Sequence, residues 1–230
     1  MSNQQQTIDF ASVLASTVHD MKNSLCMLIQ STEVIQQESM QLSEDAKEEL
    51  ARLNYEANRL NSNLLQLLSL YRLERHQLPV QIEEHYLSDV VEEVLLKNQY
   101  FSQQRQLRID VELNTDTHWF FDYDLILNLL NDAVANAMRY CKEQILLQVS
   151  ADSEKLLITV FDDGEGFPEF MLQHEQLDMN SPDLANNHTG LGIFFAKLIA
   201  GAHSNKGLSG SVVLSNGGRL GGGVFQLMLP

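Results

Sequence analysis

The sequence predicts an α+β protein in two parts. A two-helix hairpin at the N-terminus should form a dimeric four-helix bundle, and a two-layer α/β sandwich should follow it. Three observations carry this reading. Apolar residues recur at helical spacing over two long stretches before residue 75. Pro79 ends that pattern. Beyond it, helical stretches are mixed with antiparallel strands. The boundaries are 1–75 for the hairpin, 76–84 for a linker and 85–230 for the sandwich.

In the first helix Leu14, Val18, Met21, Leu25, Leu28 and Ile35 follow spacings of three, four and seven. Ser43 is placed to cap the second helix, with Glu44 and Asp45 favourable in its first turn. Leu50, Leu53, Ala57, Leu60, Leu64, Leu67 and Tyr71 then repeat the seam. A lone hairpin hides such a stripe poorly, whereas two copies packed together cover it, so burial predicts a homodimer. The alternative, a long helical pair lying on the second domain, stays open. After the linker, Leu87 to Asn98 reads as a helix, Leu107 to Leu113 as a strand and Asp124 to Tyr140 as a helix. Ile145 to Ser150 and Lys155 to Phe161 read as a hairpin turning near Asp152-Ser153. A helix lies within Thr189 to His203, and Gly210 to Leu214 and Gly223 to Leu229 close the fold as strands.

Composition narrows the function. A 44% hydrophobic content supports a packed core. A net charge of −16 opposes non-specific binding to nucleic acid or anionic membrane. Cys26 and Cys141 show no metal-ligand spacing, so zinc is not expected. No apolar run approaches the roughly 20 residues that span a bilayer, and the N-terminus lacks a signal pattern. These features predict a reduced, cytoplasmic protein.

Four motifs carry chemistry. The first is His19-Asp20-Met21-Lys22-Asn23-Ser24-Leu25. His19 lies between the seam residues Val18 and Met21, which predicts an exposed imidazole on the outer side of the helix. A neighbouring carboxylate, Asp20, can hold one ring nitrogen and leave the other as nucleophile. Asn23 lies one turn on, where its amide can hold a water. Alone, such a box is more often an ordinary solvated pair. The second motif is Asn136-Ala137-Met138-Arg139-Tyr140. The third, Asp162-Asp163-Gly164-Glu165-Gly166-Phe167, places an acid at a strand end ahead of two glycines, which suits close backbone approach to a flat ligand. The fourth is Thr189-Gly190-Leu191-Gly192 at a helix start, where freed amides bind phosphate.

In this order and spacing, the four motifs resemble the core of a two-component sensor histidine kinase, whose ATP-binding half is of the GHKL type. The resemblance runs from about Asp9 to Pro230. It implies that ATP is the phosphoryl donor and His19 the acceptor, with Asp20 as base or orienter. It makes Asp162 the acceptor for the adenine amine and Asn136 a Mg²⁺ ligand. Arg139 would meet phosphate oxygens and Tyr140 would flank the nucleotide. Gly164, Gly166, Gly190, Leu191 and Gly192 would line the pocket, and Pro168 to Asn187 would form the lid. The closing stretch Gly221-Gly222-Gly223 to Leu229-Pro230 resembles the family's last strand, its glycines expected to serve packing only. Implied partners are a response regulator receiver domain and a separate sensor or input protein, since no sensor segment is read in this chain. Asn23 implies a phosphatase activity toward that regulator.

Three positions depart from the family pattern. Ser24 replaces a frequent Pro, His188 stands where another glycine is common, and Asp132 replaces an Asn one turn before Asn136. A carboxylate at Asp132 is expected to bind Mg²⁺ more tightly or to promote slow ATP hydrolysis. Two other readings remain open: a phosphorelay adaptor with a degenerate ATP domain, and a non-catalytic pseudokinase that binds a partner.

Overall fold

In the computed structural model the described residues are 10–38, 43, 46, 49–50, 52–53, 56–57, 60, 64, 80–173 and 191–230. The chain divides into two units, Met1–Leu78 and Pro79–Pro230.

In the first unit, α1 (Phe10–Glu38) runs for 29 residues, roughly 44 Å at 1.5 Å per residue. It contains no Gly or Pro. Ser24 takes up the departure noted above in another way: its hydroxyl donates to the carbonyl of Asp20 at 3.0 Å, a back-bond of the kind that bends helices. Leu25 and Ile29 are half-buried, whereas Met21, Leu28 and Ile35, seven apart, are exposed. Ser43 lies outside a helix and accepts from the Ala46 N–H at 3.3 Å, the bond expected of an N-cap. The residues described between Ala46 and Leu64 are helical. Among them Leu50, Ala57 and Leu64 are half-buried, and the parallel row Leu53 and Leu60 is exposed.

The second unit opens with β1 (Glu83–Tyr86), which pairs antiparallel with β3 (His118–Phe121). Its main sheet has the order β2-β4-β5-β9-β8, from β2 (Arg108–Glu112), β4 (Gln144–Ala151), β5 (Leu156–Asp162), β8 (Ser211–Asn216) and β9 (Gly223–Leu229). The β4–β5 hairpin turns as expected, with Asp152 Oδ1 accepting from the N–H groups of Glu154 and Lys155. The strands alternate: Ile145, Leu147 and Val149 of β4 and Phe225, Leu227 and Leu229 of β9 join the main core. Helices α2 (Leu87–Gln104), α3 (Tyr123–Tyr140) and α5 (Leu191–Ala202) supply its other layer through residues such as Val90, Leu130, Val134 and Ala200. Leu146, Phe161 and Val224 form a smaller cluster with Leu220. No described helix is long and apolar enough to cross a membrane.

Several features differ from the sequence expectation. β2 runs parallel to β4, because the chain crosses through β3 and α3 between them. β1 begins at Glu83, within the stretch read as linker, and α2 continues past Asn98 to Gln104. A short helix α4 (Glu169–Gln173) and a ribbon of β6 (Ser204–Asn205) and β7 (Leu208–Ser209) are additional.

Two buried polar joints fix the helices. The Asn98 amide donates to Asn131 Oδ1 at 2.8 Å, linking α2 to α3. His203, just past α5, is 2% exposed and has both ring nitrogens engaged. Its Nδ1 lies 2.7 Å from the Ile199 carbonyl, and its Nε2 3.0 Å from the Asp122 backbone N–H. A carbonyl only accepts and an amide N–H only donates, so the ring is neutral with its proton on Nδ1. Burial pushes the His203 pKa below its ordinary 6.5, against the opposing pull of the Ile199 carbonyl and the Asp122 charge. Above pH 6.5 both folded and unfolded chains hold the ring neutral. As pH falls below that, the unfolded chain takes a proton that the fold resists, so stability drops until the folded pKa is reached. Thermal melts across this window should show a wild-type decline that His203→Gln lacks.

Candidate nucleotide site

Asp162 ends β5 with its side chain 7% exposed. Its Oδ1 accepts two backbone N–H groups, from Gly164 at 2.8 Å and from Gly223 at 3.0 Å. Its own carbonyl accepts from Gly222 at 3.0 Å. The acid is thus clamped between the turn that follows it and the start of β9. Among the described residues, no hydrogen bond reaches Oδ2. A buried acceptor left without a donor costs about 1–3 kcal/mol, so a ligand amine placed there is favoured.

Glycine is required around this acid for room. A Cβ on Gly222 would lie 2.5 Å from Asp162 Oδ1, and one on Gly223 would lie 2.6 Å from Oδ2. A Cβ on Gly164 would meet the Tyr140 carbonyl at 2.3 Å. This last contact brings the acid-glycine turn against the end of α3, joining two motifs far apart in sequence. Gly166 has φ +86°, the left-handed region, and packs on Asn216. The Asn216 amide brackets Phe167, accepting from its N–H at 2.6 Å and donating to its carbonyl at 2.8 Å.

Asp163 faces the other way. Its carboxylate accepts from the N–H groups of Lys142 and Glu143. Burial raises its pKa, but backbone donors from Gln144, Lys142 and Glu143 together outweigh that and hold it below the usual carboxylate value. Among the described residues Asp162 thus keeps one carboxylate oxygen without a hydrogen bond, whereas Asp163 is engaged by the loop after α3, a division the doubled Asp in the sequence does not reveal.

On α3, Asp132 and Asn136 are half-buried and one turn apart, and Arg139 and Tyr140 are exposed. The Arg139 guanidinium lies 5.9 Å from the Tyr140 ring centroid. Arg105, at the end of α2, donates to the Met138 carbonyl at 2.5 Å and to that of Arg139 at 3.3 Å, complementing the helix C-terminus. Leu191 and Gly192 open α5 as the motif predicted, with Gly192 exposed. Gly190 and residues 174–189 lie outside the described residues. In the first unit His19 is in α1, with its side chain outside the described residues, and Asp20 and Asn23 are exposed.

Sequence reasoning missed Gly222, Gly223, Asn216 and Arg105. The run of three glycines ahead of β9 was visible, but its contact with an acid 61 residues away was not. Replacing Gly222 with Ala forces a methyl group into the Asp162 carboxylate. Chemical denaturation should show a loss of about 1–3 kcal/mol, and affinity for adenine nucleotides should fall with it.

Comparison with known proteins gives the same picture. Residues 121–230 match the family described as histidine kinase-, DNA gyrase B-, and HSP90-like ATPase. The sensor protein SrrB of Staphylococcus aureus is 26% identical over 198 residues, covering 83% of this chain. The chain spans about a third (34%) of the length of that relative. Among solved structures, the Acinetobacter baumannii histidine kinase AdeS superposes with a TM-score of 0.58 at 21% identity, covering 90% of this chain and 95% of that one. The catalytic domain of histidine kinase ThkA gives 0.55 at 22% identity over 65% of this chain and 97% of its own. Full-length ShkA, in complex with AMPPNP, gives 0.59 at 18% identity over 95% of this chain and 45% of its own. Residues 121–230 thus match a GHKL-type ATPase domain, and the chain over most of its length is similar to a sensor protein and shares the fold of histidine kinases.

Proposed function

We propose that this protein is an ATP-dependent protein-histidine kinase that phosphorylates its own His19 and passes the group to an aspartate of a separate response regulator. The observation that carries the reading is the Asp162 carboxylate, with one oxygen saturated by glycine N–H groups and the other left for an adenine amine. Gly164, Gly166 and Gly192 are assigned to the surrounding walls, and Gly190 and Leu191 to the same pocket motif. Arg139 meets phosphate oxygens and Tyr140 flanks the base.

Asn136 and Asp132 offer oxygen donors one turn apart. That suits Mg²⁺, which binds few protein groups alongside phosphates and water. When bound, it would neutralise charge on the phosphates. In the transfer, a lone pair on one His19 ring nitrogen attacks the γ-phosphorus. The bond to the β–γ bridging oxygen breaks, and ADP leaves with that electron pair. Asp20 holds the proton on the other ring nitrogen, so the imidazole attacks in its neutral form and the charge that develops is compensated. Positioning and charge neutralisation account for most of such catalysis. Asn23 orients water for the reverse task, dephosphorylating the regulator.

Residues 1–75 serve as a dimerisation and phosphoacceptor hairpin, joined by 76–84 to the ATP-binding part, 85–230. The exposed rows Met21, Leu28, Ile35 and Leu53, Leu60 support a homodimer, since each recurs every seven residues as a second copy requires.

Incubation with γ-labelled ATP should give acid-labile label on the wild type and none on His19→Ala. Persistent label on that variant overturns the assignment, and label accepted only from a phosphorylated regulator would make the protein a phosphorelay adaptor. Asp132 acts as a weak base for water, so Asp132→Asn should lower ATP turnover by about tenfold or more; unchanged turnover removes that role.

A further inference from the structure

The two helices that bear the candidate nucleotide residues are joined at the ends remote from those residues. At the start of α3, the Asp122 side chain caps the helix by accepting from Leu125 N–H at 3.1 Å through Oδ1. Its Oδ2 accepts from the Gln81 N–H at 2.9 Å, in the stretch of chain entering this unit. Its own backbone N–H donates to His203 Nε2, and His203 closes α5. The end of α5 is held again by Gly210, whose N–H donates to the His203 carbonyl at 2.8 Å. We propose that Asp122 and His203 form a positioning joint, which sets the angle between α3 and α5 and through it the placement of Asn136 against the glycine turn at Gly192.

Leverage links the joint to the site. α5 has 12 residues, about 18 Å at 1.5 Å per residue, and Asn136 lies a comparable distance along α3 from its cap. A tilt of about 3° at the joint displaces the far end of either helix by about 1 Å, enough to disturb a catalytic geometry. Each helix is rigid, and both contribute to one core through Leu130, Val134, Ala196 and Ile199, so the joint transmits rather than absorbs the tilt. The imidazole suits this place because it offers a donor toward its own helix carbonyl and an acceptor toward the neighbouring N–H. Asp122 is the charged group that acts on it.

The inference rests on the reading of this unit as a nucleotide-binding one, and its test separates the two. Asn at position 203 keeps a polar group where Nδ1 sits and loses the acceptor for Asp122, whereas Gln reaches the Nε2 position. Calorimetry with Mg²⁺ and ADP should show roughly fivefold weaker binding for His203→Asn, the equivalent of one net hydrogen bond, and near wild-type binding for His203→Gln. Amide hydrogen exchange without nucleotide should rise around Asn136 and Gly192 in His203→Asn and return to normal in His203→Gln. Wild-type affinity in a folded His203→Asn protein, exchange that changes only around residue 203, or failure of Gln to restore either signal overturns the joint. If the wild type binds no ADP, the nucleotide reading fails, and the exchange pattern at Asn136 and Gly192 still decides for or against the joint.

Discussion

One carboxylate oxygen organises the candidate site. Asp162 Oδ1 takes the N–H of Gly164 from the turn after β5 and that of Gly223 from the start of β9. Hydrogen bonds to a charged acceptor are worth about 1.5–3 kcal/mol each. They also leave the carboxylate no rotational freedom. The second oxygen is thereby held in one place without any bond of its own among the described residues. The glycines follow from this constraint: a methyl group at 164, 222 or 223 would collide with the acid or with the Tyr140 carbonyl beside it. Binding chemistry and local packing are here the same requirement.

The rest of the unit holds the frame around that point. α3 is fixed at its start by the Asp122 cap, midway by Asn98 against Asn131, and at its end by Arg105 on the last carbonyls. The Asp163 carboxylate then pins the loop after α3 to the end of β5. These bonds are made by side chains outside the α3 stripe that carries Asp132, Asn136 and Arg139. That division allows the stripe to remain half-exposed while the helix beneath it stays rigid. Pre-organisation of this kind is what phosphoryl transfer needs, because the reaction asks for placement more than for covalent help.

What was legible in the sequence was local. Apolar periodicity gave α3 and α5 nearly to the residue, and alternation with an Asp-Ser turn gave the β4–β5 hairpin. Ser43 was readable as a cap because a cap bonds three residues ahead. The strand β1 was not readable: Glu83-Glu84-His85-Tyr86 has no apolar alternation and is a strand only because it pairs with β3, more than thirty residues on. The parallel register of β2 on β4 depends on a crossover, which no local pattern records. The same limit applied at the site. Asp162 and its neighbouring glycines announced themselves, while Gly223, Asn216 and Arg105 act across separations of 61, 49 and 33 residues and looked like ordinary packing or solvent positions.

The acidic balance of the chain sharpens the account of how an anionic nucleotide would be held. With 31 acidic and 15 basic residues, the long-range field opposes a polyphosphate. At physiological ionic strength that field decays over about 8 Å, so contacts inside the site decide the outcome. The site is built accordingly. On the proposed reading, its recognition groups are backbone N–H donors released by glycine and a helix start at Leu191, with Arg139 as the cation. Backbone dipoles carry no net charge and do not depend on the overall balance, so an acidic protein can hold a phosphate tail without a basic groove. The same balance repels nucleic acid, which is read mainly through its phosphates. Selectivity for a small nucleotide over a polymer thus follows from placing the attraction in the backbone and leaving the surface negative.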